Sequence, residues 1–401
     1  MKILIISPLI PYPLIDGGRK GIFYPMKYLA ERGHHIQMAC LSDVEQGPTS
    51  CDEVEKYCTL HVVTNSRKRT VKGLLKSLVH ETPYFLSRFH NEQLLQKVVG
   101  LAEQGVDLVL VDGMHCAYYG LALKGRFNIP AVLRLHNVES LILERFAGIQ
   151  KNLMIKGYAL FENWKLRRYE QKYCPAFDRV MTISEPDDAD LRARNAEIRS
   201  VVVHQGVDTM YFSPHGGKEE QFSILWMAAF GWLPNRDSFW WFVRHIVPSI
   251  VRRMPDAIIY VVGSHPPPEV LAFRHPNVRV IGFVEDVREY VDRCSVAVVP
   301  LRIGGGIRLK LIELFAMEKA VVSTSVGCEG LEVEHDRHLI IADGVEEFAE
   351  AVVRLLDDQG RRKQLGSEAA SFVRSRYTWE QTARKYEAVF QAVLDKGPVK
   401  L

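Results

Sequence analysis

Short, continuously apolar runs recur along this chain with helix-length stretches between them. That alternation restricts the fold more than any other feature. Residues 3–7, 37–41, 59–63, 108–111, 131–134, 179–183 and 200–204 read as strands. Helical patterns occupy 20–32, 91–104, a long span 141–174, and 185–194. Strands that are apolar throughout, rather than alternately, belong in a parallel sheet covered on both faces. Residues 205–220 hold Gly206, Pro214, Gly216 and Gly217 and turn polar after Phe212, which reads as a linker. The alternation then restarts, with strands at 223–227, 257–262, 278–281, 296–299, 320–323 and 339–341 and helices at 237–253 and 346–357. A last amphipathic helix spans 379–394. The pattern predicts an α/β chain of two doubly wound, Rossmann-like domains, residues 1–205 and 206–379, with a ligand cleft between them. Ligands of such sheets sit outside the carboxyl ends of the strands.

Charge and cysteine content narrow the function. Lys plus Arg number 51 against 48 Asp plus Glu, too balanced for nucleic acid to be the partner. Seven scattered cysteines with no Cys-x-x-Cys read as reduced thiols, not as a metal site or disulfide framework. The first apolar run breaks at Pro8, too early for a signal segment, and no run approaches a membrane span. A cytoplasmic chain is the expectation. Basic residues are unevenly placed, however. Arg67, Lys68, Arg69, Lys72, Lys76 and Arg88 share their stretch with one acid, Glu81. Lys156, Lys165, Arg167 and Arg168 neighbour Leu160, Phe161 and Trp164. These surfaces fit either solvated helix faces or attachment to an anionic membrane.

Residues 298–319 carry the most chemistry. An apolar strand ends at Pro300, Gly304, Gly305 and Gly306 follow, and a helix is predicted from near Ile307 with Arg308, Lys310 and Glu313 on its first two turns. Glycines let a backbone approach a ligand closely. A helix N-terminus offers free N–H groups to a phosphate. Two cations there oppose the helix dipole, so an anionic ligand explains them better than the helix does. A carboxylate one turn further in can accept from two sugar hydroxyls. The composite describes a nucleotide seat, with diphosphate at the helix start and ribose on Glu313. Gly17 and Gly18 open a helix after the first strand and can bring backbone N–H groups to a cleft. Their spacing is not Gly-x-Gly-x-x-Gly, although Asp43 follows the second strand, which excludes a nicotinamide dehydrogenase. His136 ends a strand beside Asn137 and Glu139. Asp188 and Asp190 form the one Asp-x-Asp, at a predicted helix start where acids suit the dipole.

The second half of the chain resembles retaining glycosyltransferases of family 4. The likeness rests on Phe230-Gly231 before Leu-Pro-Asn at 233–235, Pro255-Asp256 leading to Gly263, Gly282-Phe283-Val-Glu-Asp286, the run from Val299 to Glu313, and Gly327-Cys-Glu-Gly-Leu331. In the first half, Ser7-Pro8, Asp16-Gly17-Gly18, the His136 loop, Thr182-Ile-Ser-Glu185 and Gln205-Gly-Val-Asp208 are similar more loosely. The resemblance implies the GT-B fold, with residues 380–401 crossing back onto an acceptor-binding first domain. It also implies a metal-independent transfer that needs no cofactor beyond its co-substrate. The donor would be a UDP- or GDP-linked sugar. The acceptor would be a glycan or lipid-linked molecule, as in bacterial cell-surface polysaccharide or glycolipid synthesis. It assigns donor contacts to Gly17, Gly18, Gly231, Gly263, Phe283, Gly304, Gly305, Gly306, Ile307 and Glu313, and catalytic contacts to His136, Arg308, Lys310 and Glu313. Three positions depart from the family's pattern: Gly305 replaces a Glu, Trp232 follows Gly231 where a basic pair is usual, and Gln205 replaces an Asn. A GT-B hydrolase or epimerase of nucleotide sugars, or a non-catalytic glycan-binding subunit, fits the same motifs.

Overall fold

A computed structural model of the chain describes residues 1–42, 49–65 and 81–396. Asp43 and the basic residues Arg67, Lys68, Arg69, Lys72 and Lys76 lie outside the described residues. The chain forms two compact units. The first contains residues up to Leu14, Gly18–His204 and the helix Trp379–Leu394; the second contains Ile15–Gly17 and Gln205–Thr378.

The first unit is built on seven parallel strands: β1 (Lys2–Ser7), β2 (His35–Ser42), β3 (Thr59–Thr64), β4 (Leu108–Asp112), β5 (Ala131–Arg134), β6 (Arg179–Thr182) and β7 (Ser200–Val202). They lie in the order β3-β2-β1-β4-β5-β6-β7. The order reverses between β1 and β4, which leaves a crevice at their carboxyl ends. Both faces are covered, so β4 and β5 are buried at every residue. The expected single helix over 141–174 is two helices, Glu139–Ile149 and Leu153–Tyr173. Gln150 is extended, and the Asn152 side chain accepts from the amides of Met154 and Ile155, so a new helix starts there. Lys165, expected on a basic surface, is instead buried with its ammonium 3.4 Å from Glu162. It lies on the inward face of its helix, between Ala159 and Tyr169. The helix Trp379–Leu394 packs on this unit. Trp379 stacks on Tyr24 at 5.1 Å, Thr382 Oγ1 donates to the His204 carbonyl at 2.9 Å, and Glu387 meets Arg32 and His34.

The second unit has six parallel strands: β8 (Glu220–Met227), β9 (Ile258–Val262), β10 (Val278–Gly282), β11 (Cys294–Val299), β12 (Val321–Ser323) and β13 (Ile340–Ile341), in the order β10-β9-β8-β11-β12-β13. A helical run starts earlier than expected, at Leu233, passes through a π turn at Phe242–Ile246 and ends at Arg253. Pro248 has no N–H to return to the carbonyl four residues back, and the helix widens just before it. The helix Val345–Asp357 buries Phe348, Ala349, Val352, Leu355 and Leu356, a 3.6-residue stripe. The expected linker is ordered chain. The Val207 amide donates to Tyr377 O at 2.9 Å, Asp208 caps the amides of Met210 and Tyr211, and Phe212 is buried. Among the described residues no helix is long and apolar enough to cross a membrane.

Candidate functional site

In the second unit the chain leaves β11, buried at all six residues, and runs through the glycine loop to a helix at Leu309–Ala316. The helix therefore starts at Leu309, not near Ile307. Arg308 is its N-cap residue, in extended conformation. Its side chain turns back beneath the loop and is 4% exposed. One guanidinium nitrogen donates to the carbonyls of Gly305 and Gly306, the other to Val326 O at 3.1 Å, and Glu329 lies 3.9 Å away. A Cβ on Gly304 would lie 2.3 Å from that guanidinium, so a side chain there would push the Arg308 head group from its place. Arg308 thus shapes the loop from within. Ile307 is buried beside it.

Lys310 occupies the first helical turn and is partly buried. Its ammonium donates to Met227 O at 3.3 Å, at the end of β8, and to Asn235 Oδ1 at 3.2 Å. Neither partner is charged. Burial pushes the Lys310 ammonium down to about 7, and the neighbouring Arg308 cation adds to the effect. One turn on, Glu313 is 5% exposed on a helix that also buries Leu311, Ile312, Leu314 and Phe315. Burial pushes the Tyr211 hydroxyl up; Asp286 and Glu313 add to this and Arg288 opposes it. Arg288 grips Asp286 through two nitrogens and lies 3.7 Å over the Tyr211 ring. Its hydrogen bonds hold the Asp286 carboxyl below the usual carboxylate range.

The other predicted contacts divide. Gly263 follows β9, and a Cβ there would lie 1.8 Å from the Ala228 carbonyl, so strand-end packing demands this glycine. Gly231 and Phe283 are exposed after β8 and β10. Gly17 clusters with the second unit, where a Cβ would lie 3.3 Å from Leu309, while Gly18 clusters with the first. Asn235, Tyr211 and Arg288 were not read as site residues. Asn235 lay within the Leu-Pro-Asn motif, but nothing in the sequence paired it with Lys310.

In the first unit His136 follows β5 and is held by a constellation the sequence did not show. Its Nε2 lies 2.8 Å from Asp112 Oδ2, at the end of β4. Arg134 Nε lies 2.6 Å from the other Asp112 oxygen, and Arg134 Nη2 lies within 3.0 Å of the His136 ring nitrogens. Tyr386 of the last helix closes the set, 3.2 Å from Arg134 Nη1. Burial by itself would raise the Asp112 carboxyl, but Arg134 and His136 outweigh it and hold it below the usual carboxylate range. Beside them Glu139 is pushed up to about 7 by burial and by Glu170, with Asn137 opposing. Asp188 and Asp190 are engaged by Arg192 and Arg194. Among the described residues no three His, Cys, Asp or Glu side chains gather as a metal site would need.

Comparison with known proteins points one way. Residues 15–211 match the family model described as Glycosyltransferase Family 4, and residues 221–358 match that of Glycosyl transferases group 1. An uncharacterized 44.6 kDa protein in the cps region of Klebsiella pneumoniae is 21% identical over 94% of this chain and 96% of its own length. An uncharacterized glycosyltransferase of Methanocaldococcus jannaschii is 23% identical over 98% of this chain and 99% of its own. Among solved structures, Anabaena HepE in complex with UDP and glucose superposes with a TM-score of 0.69 at 16% identity, covering 98% of this chain and 100% of that one. Sucrose-phosphate synthase of Thermosynechococcus elongatus gives 0.71 at 15% identity, covering 99% and 100%.

Proposed function

The chain belongs to glycosyltransferase family 4, and we propose that it transfers a sugar from a nucleoside-diphosphate donor to a glycan or lipid-linked acceptor with retention of configuration. The observation that carries this reading is Lys310. An ammonium in the first turn of a helix, bonded to two neutral oxygens and depressed to about 7, lacks a described counter-ion and suits a diphosphate. The amides of the Gly304–Gly306 loop and the helix N-terminus would share that charge. Glu313 would take the ribose hydroxyls. His136, fixed by Asp112 and Arg134, would hydrogen-bond the donor sugar. The departing phosphate would accept the acceptor's proton during a front-face attack, while Lys310 stabilises the charge that develops on it. UDP or GDP is the expected nucleotide; the HepE structures with UDP and with UDP-glucose support the first. The relative in the Klebsiella cps region supports a place in cell-surface polysaccharide synthesis. The reading calls for no cofactor and assigns charge neutralisation to protein groups rather than to a metal ion.

Thermal stabilisation by UDP, GDP, ADP, TDP and CMP, then by the matching sugar nucleotides, tests the site. One nucleoside diphosphate should stabilise selectively. Glu313→Gln should weaken it by about 1.5–3 kcal/mol, roughly 10- to 150-fold. If no nucleotide stabilises at millimolar concentration, or if Glu313→Gln binds unchanged, the assigned site is wrong. Steady donor turnover without acceptor would favour the hydrolase alternative.

A further inference from the structure

We infer that the tip of the helical hairpin formed by Glu139–Ile149 and Leu153–Tyr173 docks on an anionic lipid surface. The second helix of the hairpin buries nothing before Ala159. Its first six residues, about 9 Å of helix at 1.5 Å per residue, therefore carry no buried side chain. They are not polar, as an exposed helix end should be. Leu153 is 82% exposed and Met154 85%, and Ile155, Tyr158, Leu160 and Trp164 are exposed too. Among the described residues, most of the other exposed large apolar side chains are scattered singly or in pairs. Leu153, Leu160, Trp164 and Arg168 follow at helical spacing along one side, and the Arg168 guanidinium lies 4.6 Å over the Trp164 ring. An indole beside a cation, with apolar residues beyond, is the order found from headgroup inward in an interfacial helix.

The charge of the tip selects the occupant. Residues 145–161 contain Arg145, Lys151 and Lys156 and no acid. The next carboxylate, Glu162, is buried and taken by the Tyr84 amide and Lys165. A second copy of the chain would set cations against cations, whereas phosphatidylglycerol-type headgroups meet them with opposite charge. The hairpin starts three residues after His136, at the carboxyl end of β5. A docked tip would hold that edge of the sheet close to the membrane. Docking does not depend on the transfer reading; its consequence, a lipid-borne acceptor met at the His136 edge, rests on that reading.

Flotation of the full chain with phosphatidylcholine vesicles, with and without phosphatidylglycerol, tests the inference. The wild type should partition onto the anionic vesicles and be released by salt. The double variant Leu153→Ser/Met154→Ser should lose about tenfold in partitioning per residue, and Lys151→Ala/Lys156→Ala about fivefold per residue. Lys151, Leu153 and Met154 are solvent-exposed and Lys156 is half-buried, so melting temperature and nucleotide stabilisation should stay close to wild-type values. Absence of lipid-dependent partitioning, or variants that partition like the wild type, would overturn the inference. So would wild-type dimers that dissociate in the Leu153→Ser/Met154→Ser variant without any vesicle binding, since the tip would then belong to a second copy. A failed transfer assay beside intact vesicle binding would count against the proposed function alone.

Discussion

Lys310→Met separates the stability of this fold from its proposed use. In the ligand-free protein the ammonium is held at about 7 instead of the ordinary 10.5. At about 1.4 kcal/mol per tenfold change in proton affinity, keeping it charged costs about 4–5 kcal/mol as an upper bound. The side chain reaches solvent in part, which reduces that figure. Methionine keeps the stem and removes the charge, at the loss of bonds to Met227 O and Asn235 Oδ1. A net gain of about 1–3 kcal/mol is expected, a rise of several degrees in Tm for the apo protein. The pH dependence has a fixed sign. Between about 7 and 10.5 the unfolded chain binds the proton and the folded one does not, so wild-type stability should rise with pH across that window. The variant should lack that rise. A bound diphosphate restores a counter-charge, so near pH 8 the wild type should take up a proton on binding. Calorimetry in buffers of different ionisation enthalpy measures this directly. A variant no more stable than wild type, with unchanged nucleotide affinity and no proton uptake in the wild type, would refute the reasoning.

Two further outcomes follow from buried contacts. Asp112→Asn leaves the Arg134 cation buried without its carboxylate and should cost about 3–5 kcal/mol in chemical denaturation. Because the Asp112 carboxyl is depressed in the folded protein, its contribution is present above about 3.8 and fades as pH falls through the folded value, a loss the variant should not show. Gly263→Ala sets a methyl group 1.8 Å from the Ala228 carbonyl and should destabilise by at least about 2 kcal/mol, read as a lowered Tm.

The alternation of apolar runs and amphipathic stretches was enough to specify two parallel, helix-covered sheets. A strand buried on both faces leaves a continuous apolar run in the chain, and a helix packed on one side leaves a 3.6-residue stripe. Local chemistry is an expectation of the same kind. Three glycines between a strand and a helix, with Lys310 and Glu313 just inside, lead to the proposal of an anion seat, which nucleotide binding tests. Other features depended on side chains distant in sequence. No pattern announces that Arg308 folds back onto Gly304, that Asn235 meets Lys310, or that Asp112, Arg134 and Tyr386 converge on His136. Nor does it announce that Lys165 turns inward while Leu153 and Met154 stand in solvent. Periodicity records which face of an element is apolar. Which partner that face meets, and which cations keep their water, is decided by packing between elements brought together only in the folded chain.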